Sequence, residues 1–199
     1  MTRDEIIHKG VHAALKLAET EKWSAITLAA IAEEADLSLK DFHTHADKDA
    51  LSDAVEGIFD AGMSEGSFDP EETARTRLFD VIMMRFETME EVRDGAMSFL
   101  RWRDRSMDGL GVRLKGRIAT AKWALACAGL DGTSHIPRGV QVTAVGWAIA
   151  QAERAWRQET SPDLSRTMAA LDAELIKLEE RAQWLKSRGK RKPDPETDQ

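Results

Sequence analysis

Three observations predict an all-α fold for this chain of 199 residues. Apolar residues recur every three or four positions through most of its length, as one buried face of a helix requires. Alanine, leucine, glutamate and arginine are abundant while prolines number only five, a composition that favours helix. Apolar-periodic segments are also opened by Thr, Ser or Asp and separated by glycines, the punctuation of capped helices. Together they predict about nine helices.

The first covers residues 3–20, carries Ile6, Ala13, Ala14 and Leu17, and is followed by Trp23. Thr27 caps a second helix whose Leu28, Ile31 and Ala35 share a face. Asp36-Leu37-Ser38 makes a turn, and Ser38 caps a short third helix from Leu39 to about His45. Leu37 and Phe42 are expected to point inward, leaving Lys40, Asp41, His43 and Thr44 outside. A fourth helix starts near Asp47 and runs to about Gly62. Residues 25–51 therefore form a helix-turn-helix pattern, which presents its second helix to the DNA major groove.

Gly62, Gly66 and Pro70 mark a break, giving a head over 1–62, a helical body over 63–188 and a tail over 189–199 expected to be disordered. Asp69-Pro70-Glu71-Glu72 predicts the start of the fifth helix, which carries Leu78, Ile82, Phe86 and Met89. The next two are expected over Glu91–Arg105 and Leu110–Ala128. After a loop of Gly129–Ser134 closed by Pro137, a long helix spans about Arg138–Gln158. Ser161-Pro162-Asp163 caps the last, Leu164 to about Lys186. Lys186, Arg188, Lys190, Arg191 and Lys192 read as a solvated basic end, with contact to an anionic membrane or nucleic acid as the other reading.

An apolar fraction of 42% supports a real core, and 32% charged residues suit long exposed helical faces. Cys127 is the single cysteine, so no internal disulfide forms and a reducing compartment is expected. The most apolar stretch, Val140–Ala152, is too short to span a bilayer, and no secretory signal is visible, which points to the cytoplasm. His8 and His12 share a face without an evident third ligand, and His43 and His45 face different sides, so no metal site is expected. No catalytic constellation or glycine-rich phosphate loop stands out; neither an enzyme nor a cofactor is expected. Charge is unevenly spread. Residues 1–65 hold six Lys and Arg against fourteen Asp and Glu, within a chain of net charge −7.

In the body, Trp102, Trp123 and Trp147 accompany Met83, Phe86, Phe99 and Met107. They read either as ordinary core or as the lining of an apolar ligand pocket. Val142, Val145, Gly146, Ala148 and Ile149 give a small-residue face, and Met168, Leu171, Leu175 and Leu178 a stripe on the last helix. The surplus of apolar surface makes Val142, Val145, Ile149, Met168, Leu171, Leu175 and Leu178 the expected homodimer interface.

Thr27, the run Ile31-Ala32-Glu33-Glu34-Ala35-Asp36-Leu37-Ser38, the 39–45 helix, and Lys48 with Leu51 resemble the amino-terminal signature of the TetR family of bacterial regulators. The resemblance covers about the first 60 residues. It departs along the recognition helix, where Lys40, Asp41, His43 and Ala46 replace the family's glycine, small residue, tyrosine and phenylalanine. It implies a homodimeric repressor that binds operator DNA through Thr27, Ser38, Lys40, His43, Thr44, His45 and Lys48. It further implies dimerisation through the last two helices and release of the DNA by an apolar small molecule held in the body.

The carboxyl half is similar to the TetR-fold lipid-binding proteins of ubiquinone biosynthesis. Trp123 with Ala128-Gly129-Leu130-Asp131, and Ser161-Pro162-Asp163 with Thr167 and Leu171-Asp172, carry that likeness, as does Lys22-Trp23. It implies an isoprenoid lipid in the body, membrane docking through an amphipathic terminal helix, and a head that has lost DNA binding. A ligand-responsive regulator is the first expectation and a lipid-binding accessory protein the alternative.

Overall fold

The structure, a computed structural model, describes residues 1–66 and 69–189, and the described residues contain helices, turns and no strand. The tail from residue 190 onward, with most of the basic segment's side chains, lies outside them. The helices are α1 (Arg3–Leu17), α2 (Leu28–Glu34), α3 (Leu39–His43), α4 (Lys48–Ala61), α5 (Ala74–Glu91), α6 (Arg93–Arg105), α7 (Met107–Cys127), α8 (Arg138–Trp156) and α9 (Ser165–Gly189), with a 3-10 turn at Gly62–Ser64.

Local chemistry explains most of the boundaries. Thr2 and Glu5 form a reciprocal capping box on α1, and Thr27, Asp47 and Ser106 accept from the third backbone amide of α2, α4 and α7. One expected start moves. Asp69 bends its side chain onto the Glu71 amide at 2.9 Å and its carbonyl accepts from Glu72. That isolated turn uses up the capping group, and Thr73 caps α5 instead, accepting from Thr76 at 3.1 Å. Helix α2 ends with Asp36 at φ 53°. The amides of Asp36 and Leu37 donate back to Glu33 and Ala32 at 3.2 and 2.9 Å, a Schellman closure in which aspartate stands where glycine is usual.

A single hydrophobic core runs from head to body. Trp23, buried after α1, packs its ring edge on Phe99 of α6 with centroids 4.9 Å apart, and Phe99 meets Phe59 of α4 at 6.4 Å. Its indole N–H donates to Ser52 on α4 at 3.2 Å, and its backbone amide to Ser98 on α6 at 3.1 Å. Helices α1 and α6 cross so closely at Gly95 that a Cβ there would lie 2.1 Å from the Leu15 carbonyl oxygen. The amino-terminal bundle is thereby seated on the body through α4 and α6.

Candidate functional sites in the head and body

In the head, α2 and α3 have the geometry of a helix-turn-helix. Thr27 and Ser38 are exposed, each engaged as a cap. Asp41, outward in the sequence reading, folds its carboxylate back onto the amide and hydroxyl of Ser38 at 2.8 and 2.7 Å. These bonds, the hydroxyl's first, hold it below the usual carboxylate range. Lys40, His43 and Thr44 are exposed and His45 half-buried. Lys48, an expected phosphate contact, is half-buried. Its ammonium turns inward and donates to the carbonyls of Trp23, Ser24 and Ile26 at 2.9, 3.3 and 2.5 Å. Burial lowers its pKa. The group satisfies carbonyls of the connection between α1 and α2.

Other head cations are also engaged. Lys16 pairs with Glu34, and Arg3 donates to the carbonyl of His45 at 3.0 Å. Of the six head Lys and Arg, Lys9, Lys22 and Lys40 stay exposed.

The seven expected pocket residues do not enclose one cavity. Phe86 and Phe99 are packed in the core, Trp102 lies tilted against Phe99 with centroids 5.8 Å apart, and Met107, Trp123 and Trp147 face solvent. Trp123 donates its indole N–H to the Asp60 carbonyl at 3.1 Å. Of the seven, Met83 lines an open groove of about 490 Å³ between α5 and the start of α9. Phe79, Val81, Met84, Leu164 and Met168 give that groove an apolar side, and Arg77, Asp80, Glu87 and Asp163 a polar one.

What fills the middle of the body is a cluster of charges. Glu56 and Asp60 of α4 reach inward to Arg85 of α5, Glu56 at 2.5 Å. Arg103 of α6 bridges Glu56 at 2.5 Å and Glu153 of α8 at 2.6 Å. Arg157 joins Glu153 and Asp104 at 2.6 and 2.7 Å, and Thr120 of α7 donates to Asp60 at 2.8 Å. Burial pushes the Asp60 carboxyl up, against the pull of Arg85 and Thr120. Burial also acts on Glu153, but Arg103 outweighs it, helped by Arg157 and Arg117, and lowers Glu153 to about 2. A single sequence offers one faint signal for this cluster. Glu56, Asp60 and Arg85 occupy inward registers beside Phe59, Ile82 and Phe86, where apolar residues are the rule.

The expected dimer stripe is largely consumed within the chain itself. Val142, Val145, Ile149, Leu171 and Leu175 are buried where α8 and α9 pack on each other and on the body, and Leu178 is half-buried. Met168 alone of the seven is exposed. Periodicity identifies an apolar face, and here that face meets the chain's own core. The outward sides of α8 and α9 instead present Val140, Trp147 and Ile176. Among the described residues no group of three or more His, Cys, Asp or Glu is arranged to hold a metal ion.

This is the fold of TetR regulators. A TetR transcriptional regulator from Nitrosomonas europaea ATCC 19718 superposes with a TM-score of 0.68 at 19% identity, covering 89% of this chain and 98% of its own. Another, from Rhodococcus sp. RHA1, gives 0.60 at 17% identity, over 89% of this chain and 99% of its own. No protein-family model and no curated protein matches the sequence. Among the described residues no helix is long and apolar enough to cross a membrane.

Proposed function

We propose that the chain is a lipid-binding accessory protein on a TetR-type frame, whose helix-turn-helix head is scaffold rather than DNA reader. The observation that carries this reading is the fate of the head's positive charge. Phosphate neutralisation supplies most of the affinity for DNA, yet Lys48 is spent on three carbonyls and Lys16 on Glu34. Of the fourteen carboxylates in residues 1–65, Glu34 pairs with Lys16, Asp53 with Lys115, and Glu56 and Asp60 turn into the body, which leaves ten on the head. The α5–α9 groove supports the lipid half. Its apolar wall would take a hydrocarbon chain, and Pro162, Asp163 and Leu164, from the segment that resembles the ubiquinone-biosynthesis proteins, line it. A homodimer would form through the outward faces of α8 and α9 around Trp147 and Ile176.

Mass spectrometry of the purified chain tests this directly, with a co-purifying isoprenoid or other single-chain lipid as the expected result. A lipid-free protein that also fails to take up added isoprenoid would refute it. The regulator reading is favoured by the capped, undistorted helix-turn-helix, whose exposed Lys40, His43 and Thr44 would be its contacts. Retardation of DNA flanking its own gene by micromolar protein at low salt would establish it over the lipid reading.

A further inference from the structure

We infer that the outer face of α7 seats on a lipid bilayer carrying anionic headgroups. Met107, Leu110, Leu114 and Ile118 are 84%, 37%, 57% and 52% exposed. Their spacing of three, four and four residues puts them on one side of the helix, in a stripe about 17 Å long. Gly111 lies among them with open space where a Cβ would stand, so the face is level. Four large aliphatic side chains aligned in water on one helix are unusual for a surface without a partner.

Charge selects the partner. Residues 93–127 hold eight Lys and Arg against three Asp and Glu in a chain whose net charge is −7, and six remain once Arg103, buried in the ion cluster, and Arg93, paired with Glu90, are set aside. Along α7, Lys115 and Lys122 border the stripe on one side, Arg113 and Arg117 on the other. Carboxylates of neighbouring helices offset part of this. Asp53 of α4 pairs with Lys115, Asp104 of α6 lies 3.8 Å from Arg113, and Glu153 of α8 lies 3.7 Å from Arg117. Asp108 sits in the first turn of α7 itself. Lys122, Arg101 and Arg105 stay exposed. An apolar stripe between cations is the pattern of a helix lying in the plane of an anionic interface. Duplex phosphates would satisfy the cations and leave the aliphatic side chains in water. The surface is separate from the α5–α9 groove, so the inference does not depend on that groove holding lipid.

Sedimentation of the full chain with extruded vesicles tests it, using phosphatidylcholine alone and phosphatidylcholine mixed with phosphatidylglycerol. The expected result is preferential binding to the anionic vesicles, weakened by salt. Leu114→Glu with Ile118→Glu should lower the partition about tenfold or more. Arg105→Glu with Lys122→Glu should lower it several-fold and flatten the salt dependence. All four positions are at the surface, and unchanged far-ultraviolet circular dichroism would verify that the variants fold. Trp184→Glu with Leu185→Glu, at the end of α9, should leave binding within about twofold. Equal binding by the wild type and the Leu114/Ile118 variant would overturn the inference. So would absence of binding to either vesicle, or loss confined to the Trp184/Leu185 variant. If sedimentation velocity shows the Leu114/Ile118 variant breaking an oligomer, the face joins copies of the chain and the bilayer assignment falls. Co-purified lipid is measured separately, so failure here and failure of the groove reading are distinguishable.

Discussion

Replacing Glu153 by Gln measures how much the buried charge cluster contributes to holding the helices together. Burial alone would raise this carboxyl, but Arg103 first, then Arg157 and Arg117, lower it from an ordinary 4.5 to about 2. A folded-state value below the unfolded one places the contribution at neutral pH. It is complete above about 4.5 and is lost as pH falls towards about 2. The full displacement corresponds to about 3 kcal/mol. Gln preserves shape and can still accept from Arg103, so the substitution isolates charge. The variant should be less stable by about 3 kcal/mol at neutral pH, with the gap closing as the wild-type carboxyl is protonated. Asp60 runs the other way. Its raised value gives a contribution present at low pH and lost as pH rises, but both proteins share it and it cancels in the difference. Urea unfolding followed by tryptophan fluorescence across the acid range supplies the two curves. A wild-type-to-variant difference that stays constant with pH would refute the reasoning, because only the titration of Glu153 can close the gap.

Arg103→Met should cost about 3–5 kcal/mol in urea unfolding, since it removes the buried cation shared by Glu56 and Glu153 and leaves Glu56 to Arg85 and Glu153 to Arg157 and Arg117. Gly95→Ala should lower stability by about 2 kcal/mol or more, because the new methyl group meets the Leu15 carbonyl and must push α1 from α6; thermal melting would register it. Asp36→Gly should raise stability by about 0.5–1 kcal/mol, as the residue holds a left-handed φ that glycine adopts freely. Lys48→Met should cost about 1–3 kcal/mol by leaving the Trp23 and Ile26 carbonyls without their donor, and on the scaffold reading it changes no DNA retardation.

The elements were legible because the signals that start and stop a helix are local. Thr27, Ser38, Asp47 and the turn at Asp36 act within a few residues, and the structure puts caps at those positions. Asp69 shows the limit: whether an aspartate opens a helix or closes its own turn depends on which amide it reaches first, and Thr73 was the competing cap. Sites were less legible for a different reason. Leu171 and Leu175 announce an apolar face, but sequence does not say whether a partner or the chain's own α8 covers it. Met107 and Trp147 look like core by type and stand in solvent by register. Glu56 and Arg85 look like surface by type and are among the most buried charges. Their partners lie on other helices, so a one-dimensional pattern carries only the anomaly and not its resolution.

The cluster also bears on how the head could respond to anything bound below it. On the regulator reading, a ligand in the body would shift α4 and carry the recognition helices with it. Here α4 sends Glu56 and Asp60 into the body, and Ser52 receives the Trp23 indole. Displacing α4 separates Glu56 from Arg85 and Arg103 together, and breaking one buried pair already costs about 3–5 kcal/mol. A ligand that converts a head from mostly one state to mostly the other must itself discriminate by about 5.5 kcal/mol. The open α5–α9 groove leaves an occupant partly in water, so its differential contact with two positions of α4 is small. Ionic anchoring of α4 and an open groove therefore both count against a head that an occupant of the groove would move.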